Sequence, residues 1–241
     1  MVKTIPITEL SLHDVKVKFN LTPAEDDQFF REWQEELPEL TDTEQQSLEQ
    51  IKAHMLYLEQ YPMVEDIVKM VVLSPLLGLA GFYGSPFHLK TEAAIEIAAV
   101  EEHEILRGRI DVLVLQEQFW VLVIESKQAG FSLKSAIPQA LTYMMANPNQ
   151  LRPSFGLVTN GTNFRFLKVS KSGIPMYALS DEFTLYRGND WYNVLRILKR
   201  IAELVVNWVF VAFSLVSICA TRTLREQQSA VSRQQIGRAH V

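Results

Sequence analysis

Two neighbouring runs constrain this chain more than any other feature. They are residues 107–115 (Arg-Gly-Arg-Ile-Asp-Val-Leu-Val-Leu) and 119–126 (Phe-Trp-Val-Leu-Val-Ile-Glu-Ser). Both are rich in β-branched and aliphatic side chains, and both are apolar at odd and even positions alike. A strand that is apolar on both faces must be covered on both faces, so helices are required on each side of a sheet. The short gap predicts a hairpin turning near Glu117–Gln118. A turn centred at 118 pairs positions whose numbers sum to 236, which sets Asp111 opposite Glu125. Centring the turn at 117 shifts the pairing by two and keeps the face. Lys127 follows Glu125 by two and shares its side, while Ser126 points to the other face.

The flanking segments supply the helices. Residues 23–36 read as an acidic amphipathic helix with Phe29, Phe30 and Trp33 at helical spacing. Residues 43–60 read as a second helix with Leu48, Ile51, Met55 and Leu58 on one face. Residues 63–80 read as a third, ended by Gly81 and Gly84-Ser-Pro86. Glu65 falls in its first turn, where a carboxylate suits the helix dipole. Residues 88–100 read as a first strand. Residues 132–146 read as a helix that either starts late, with Ser135 as N-cap, or bends at Pro138. Short strands follow at 154–160 and 163–169 across the turn signal Asn160–Gly161, and a closing helix covers 189–206. The expectation is an α/β fold, a central mixed sheet flanked by helices, with a helical N-terminal extension. The expected divisions are 1–60 for the extension, 61–206 for the sheet domain and 207–241 for a tail.

Asp111 and Glu125 facing each other in a buried hairpin repel, and a fold does not keep that arrangement for stability alone. A divalent cation resolves it. Mg²⁺ takes one or two carboxylates together with waters and phosphate oxygens. An adjacent lysine can orient an attacking water or stabilise developing charge. Asp, a strand-turn-strand gap and Glu-x-Lys therefore form a constellation suited to phosphodiester hydrolysis. The net charge of −5 excludes a uniformly basic nucleic-acid coat, so phosphate contact needs a local patch or metal ions. Lys134, Arg165, Lys168 and Lys171 are candidates for that patch, or a solvated face. The single cysteine, Cys219, excludes an intrachain disulfide framework, and the five histidines show no ligand spacing.

Ile110–Asp111 followed by Glu125-Ser-Lys127 resembles the split motif of the PD-(D/E)xK nuclease superfamily, with Ile110 in the place of the proline. Gln139-Ala-Leu-Thr-Tyr143 on the next helix resembles the Gln-x-x-x-Tyr signature of its RecB-like branch. The same signature marks the N-terminal nuclease domain of type I restriction enzyme R subunits, and stand-alone R-subunit-like proteins of this kind are frequent in cyanobacteria. Gly156-Leu-Val-Thr-Asn-Gly161 is similar to the strand and turn that follow the motif. The resemblance covers roughly residues 60–200. It implies a restriction-endonuclease-like fold and a Mg²⁺-dependent DNA endonuclease, with Mn²⁺ as a substitute ion. Asp111 and Glu125 would bind metal, Lys127 would position water or stabilise charge, and Gln139 and Tyr143 would support substrate or the catalytic lysine. A third acidic ligand is expected upstream: Glu65 is the candidate and Glu96 the rival. Tyr143 can also be read as a core aromatic, and Arg109 as a neutralising or phosphate-contacting residue. DNA and restriction-modification subunits are the implied partners, in the cytoplasm. The sequence contains no Gly-x-x-x-x-Gly-Lys-(Ser/Thr), so the ATP-driven motor of full R subunits is not implied. The alternative is a non-catalytic module that binds DNA or a partner on the same fold.

Residues 204–220 are nearly all apolar, close to the ~20 residues a membrane span requires. Ile236-Gly-Arg-Ala-His-Val241 looks like a translated sequencing adapter, so readthrough or a frameshift is the favoured account of the tail, ahead of a membrane helix or the buried end of the closing helix.

Overall fold

The computed structural model describes residues 3–99, 104–116, 119–128 and 130–207. The turn expected at Glu117–Gln118 and residues 208–220 of the apolar 204–220 segment lie outside the described residues. Contacts divide the chain into Met1–Ala202 and Glu203–Val241. Of the second unit only 203–207 are described, all helical.

The two apolar runs form the strands Glu104–Gln116 (β4) and Phe119–Ser126 (β5), which pair antiparallel. Val112 pairs with Ile124, Leu113 with Val123 and Val114 with Leu122, the register expected from a turn centred at 118. A one-residue shift between Val114 and Leu115 then brings Leu115 opposite Trp120. Phe87–Ala99 (β3) is the strand expected at 88–100, and it runs antiparallel to β4 along its whole length. Ser154–Thr159 (β6), Asn163–Ser170 (β7) and Met176–Thr184 (β8) continue the sheet beyond β5. β5 and β6 are parallel, which requires a crossover, and the helix Ala136–Met145 supplies it. The sheet is mixed, as the α/β pattern predicted, and has eight strands, three more than the sequence showed.

The first sixty residues contribute more than helices. Lys3–Pro6 (β1) pairs parallel with residues 104–107 of β4, and Thr22–Pro23 (β2) pairs parallel with β8 at the far edge. Because β3 occupies one whole edge of β4, β1 and β5 share the other: β1 holds residues 104–107 and β5 holds 112–116. Residues 108–111 fall in the gap between them. Residues 23–36 are not the expected α-helix. Asp27–Trp33 is a 3-10 run, broken at Phe30 (φ −129°, ψ 59°). The break at Phe30 separates two short turns, and Phe30 and Trp33 both face the sheet. Their rings then meet Phe155 and Phe183 of the sheet at centroid distances of 6.2 and 6.0 Å.

The helices are Leu12–Lys18 (α1), Asp42–Leu58 (α2), Glu65–Val68 (α3), Ser74–Leu79 (α4), Ala136–Met145 (α5) and 190–207 (α6). A π-helical turn, Lys69–Leu73, joins α3 to α4 without a break. Thr41 opens α2 through a capping box with Glu44, and Leu48, Ile51 and Met55 are buried as the periodicity required. A 3-10 turn Leu133–Ser135 precedes α5, so the helix does start late. Pro138 lies in its first turn, where a missing N–H breaks no helical bond. α5 packs over β5 and β6 with α1 beside it, and this layer shares a core with Ile7, Val15, Leu106 and Ile110. Gly161, at φ +89°, turns the chain from β6 toward β7. A Cβ there would lie 2.8 Å from Met55 and 3.1 Å from Val68, so α2 and α3 close directly on the turn. Among the described residues no helix is long and apolar enough to cross a membrane.

Candidate active site

The pairing of β4 with β5 stops after Val112–Ile124, and Asp111 and Glu125 occupy the next positions. The N–H of Ser126 is aimed back at β4, where it finds a side chain instead of a backbone carbonyl. It donates to Asp111 Oδ2 at 2.7 Å, and the Ser126 hydroxyl donates to the same oxygen at 2.9 Å. Strand alternation placed Ser126 away from the site; the end of the ladder makes it a direct partner. Its hydroxyl also lies 3.3 Å from Glu65 Oε1.

Lys69 is the second residue that sequence reasoning missed. Its ammonium contacts Asp111 Oδ1 at 3.0 Å, Glu65 Oε1 at 2.9 Å and Glu92 Oε1 at 3.3 Å. Burial disfavours its charge, but hydrogen bonds to Glu65 and Asp111 outweigh that cost and raise its pKa above the ordinary lysine value. The signal available was the i, i+4 spacing from Glu65 on a helical segment. Of the two upstream acids, Glu65 joins this cluster, whereas Glu96 pairs with Arg107 at 2.9 Å on the surface. Arg109 reaches Glu92 at 3.7 Å.

Glu125 is 2 % exposed. Its Oε1 accepts from Lys127 Nζ at 2.7 Å, and its Oε2 is buried with no hydrogen-bond donor among the described residues. Burial, reinforced by the Asp111 charge and only partly offset by Lys127, pushes its pKa up to about 8. Lys127 Nζ also donates to Gln139 Oε1 at 3.1 Å, and Gln139 Nε2 donates to the Tyr143 hydroxyl at 3.2 Å. The four-residue spacing on α5 thus serves a relay that begins at the lysine.

Tyr143 ends that relay inside the sheet. Its hydroxyl accepts from Arg109 N–H and donates to Arg109 C=O, both at 3.0 Å. Arg109 lies in the gap of β4 between β1 and β5, so a phenol takes the place of a missing strand neighbour and satisfies both backbone groups. Gly108 leaves room for this: a Cβ at 108 would lie 2.5 Å from the hydroxyl. Burial pushes the Tyr143 pKa up to about 12, which keeps the proton needed for the Arg109 carbonyl.

The candidate phosphate patch, read equally as a solvated face, is not assembled. Lys168 is bound to the Phe29 carbonyl and Glu32, Lys171 to the Met145 and Asn147 carbonyls, and Arg165 to the Ser180 carbonyl. These cations satisfy internal acceptors; only Lys134 of the set is simply exposed.

Glu65, Asp111, Glu125, Lys127, Gln139 and Tyr143 all lie inside residues 24–173, and this stretch matches the family of the type I restriction enzyme R protein N terminus. The chain belongs to that family. The R-protein family match covers β3 to β7 entire, the part of the sheet that carries the site. No curated protein matches the chain.

Among the described residues, no three His, Cys, Asp or Glu side chains converge closely enough to hold a metal ion by themselves. The donor set still suits a hard cation. Glu125 Oε2 is a buried oxygen without a donor among the described residues, and Asp111 Oδ1 faces a cation already. Mg²⁺ needs only one or two carboxylates, the remainder being water and phosphate oxygen.

Proposed function

We propose that this R-protein N-terminal domain is a Mg²⁺-dependent DNA endonuclease, with Mn²⁺ as a substitute ion. The observation that carries the proposal is Glu125: a buried carboxylate with one oxygen on Lys127 and the other without a donor among the described residues. Asp111 and Glu125 would hold the ion, with Glu65 beside them. The bound ion would supply Lewis-acid stabilisation of a phosphoryl oxygen. Lys127 is held by Glu125 and Gln139, which fixes its ammonium where it can orient a water or neutralise charge developing on phosphate. Gln139 and Tyr143 are positioning residues: Tyr143 anchors Gln139 to the Arg109 backbone, and Gln139 restricts Lys127. DNA is the proposed substrate, restriction-modification subunits the proposed partners and the cytoplasm the proposed setting.

Cleavage of supercoiled plasmid with Mg²⁺ or Mn²⁺ tests this, with Lys127→Ala and Asp111→Ala beside the wild type. Nicking by wild type alone is expected. A second function, as a non-catalytic binding module, gains support from Lys69, which neutralises Asp111 without any metal. Wild type that retains DNA without cutting it, and binds no divalent ion, would establish that alternative.

A further inference from the structure

Asp111 divides its two oxygens between different partners. Oδ2 takes both donors of Ser126, and Oδ1 takes Lys69. Any divalent ion that Asp111 ligates through Oδ1 therefore meets an ammonium already in place. The two cations repel, and one carboxylate oxygen does not serve both at close range.

Lys69 has somewhere to go. Glu92 is already 3.3 Å from its Nζ. Glu92 lies across from Asp111 in the β3–β4 pairing, in the step between Thr91–Val112 and Ala93–Ile110, where the register has no partner pair. It adopts φ +52°, a left-handed conformation uncommon for glutamate and rare within a strand. Its side chain is half exposed, so an ammonium drawn onto it moves toward water. The hand-over needs rotation of one flexible side chain and no movement of the sheet.

We infer that the Lys69 ammonium is a tethered cation that occupies the acidic cluster until a divalent ion displaces it, with Glu92 as the carboxylate that receives it. The inference rests on the proposed metal site at Asp111 and Glu125. It assigns to Lys69 a role in setting metal affinity: the ammonium offsets part of the cluster's negative charge when no metal is bound, and loading is an exchange of cations. Lys69 is thus a positioning residue for the metal-free state and a competitor for the loaded one.

Two measurements on the intact chain test this. Titration calorimetry with MgCl₂ and with MnCl₂ compares wild type, Lys69→Met, Glu92→Gln and the double variant, with circular dichroism as the check of folding. Lys69→Met should bind the ion about tenfold more tightly or better, equivalent to ~1.4 kcal/mol. Glu92→Gln should weaken binding severalfold in the wild-type background and much less in the Lys69→Met background. Amine acetylation read by mass spectrometry needs no variant: Lys69 should react slowly in EDTA and severalfold faster with Mg²⁺. Metal binding by Lys69→Met but not by wild type would also support the exchange. If wild type binds metal, but Lys69→Met binds no more tightly or Lys69 acetylation does not change, the tethered cation is overturned and the metal site stands. If neither wild type nor Lys69→Met binds an ion, both fall.

Discussion

Replacing Glu125 by glutamine removes a buried ionisable carboxyl that, among the described residues, is paired through one oxygen only. The carboxyl pKa rises from an ordinary 4.5 to about 8 in the folded chain. The native state therefore holds a proton that the unfolded state releases, and stability must fall as pH rises between those values. The contribution is fully present below about pH 4.5 and gone above about pH 8. At ~1.36 kcal/mol per pH unit, the loss across the window is on the order of 5 kcal/mol. Other groups titrate as well, so the informative quantity is the difference between wild type and Glu125→Gln. Urea denaturation in EDTA at intervals from pH 5 to 8.5 gives that difference. The wild type should lose several kcal/mol relative to the variant, with the steepest change toward neutral pH. Saturating Mg²⁺ at pH 8 should restore wild type and leave Glu125→Gln nearly unmoved, because an ion bound to the carboxylate replaces the proton. Parallel stability profiles for the two proteins, within about 0.5 kcal/mol at every pH, would refute the account of a destabilised buried carboxylate.

Tyr143→Phe leaves the Arg109 N–H and C=O without their partner, so it should cost about 1–3 kcal/mol in denaturant melts, with a larger effect on hydrogen exchange at Arg109 than elsewhere. Gly108→Ala drives a methyl group against the same hydroxyl and against the ring edge behind it, and should cost a similar ~1–3 kcal/mol; the double variant with Tyr143→Phe should relieve only part of that cost, because the ring carbon 2.8 Å from the new Cβ remains, and no relief at all would show that the hydroxyl is not an obstruction. Gly161→Ala combines a left-handed backbone with contacts to Met55 and Val68, and a thermal midpoint lowered by several degrees is expected; an unchanged midpoint would mean that the helices over the turn yield freely.

The β4–β5 hairpin was legible because both faces of each strand are buried, so composition and register carry the same message. The Gln139–Tyr143 spacing was legible for a similar reason: one helix face holds both, whatever lies around it. Lys69 and Ser126 were hidden for different reasons. Lys69 reads as ordinary helix-surface charge until β4 is placed beside it, forty-two positions away in sequence. Ser126 obeys strand alternation everywhere except at a ladder end, where a side chain substitutes for a backbone acceptor. Neither reading of Lys168 and Lys171, phosphate patch or solvated face, foresaw their internal partners, because local charge gives no warning of a carbonyl brought close by the fold, as at Lys171. Strands of two and four residues, such as β2 and β1, are too short to show any period, and their partners begin at Met176 and Glu104.

The family match begins at residue 24, yet the sheet begins at Lys3. β1 covers the edge of β4 just before the gap that Tyr143 closes, and Ile7 is buried beside Gly108. A recombinant fragment cut at the family boundary would therefore bare four residues of β4 as an open edge and uncover the wall behind the Arg109 backbone. Such an edge invites pairing with another chain. Aggregation of that fragment would follow from a missing border, and would say nothing about the chemistry inside it.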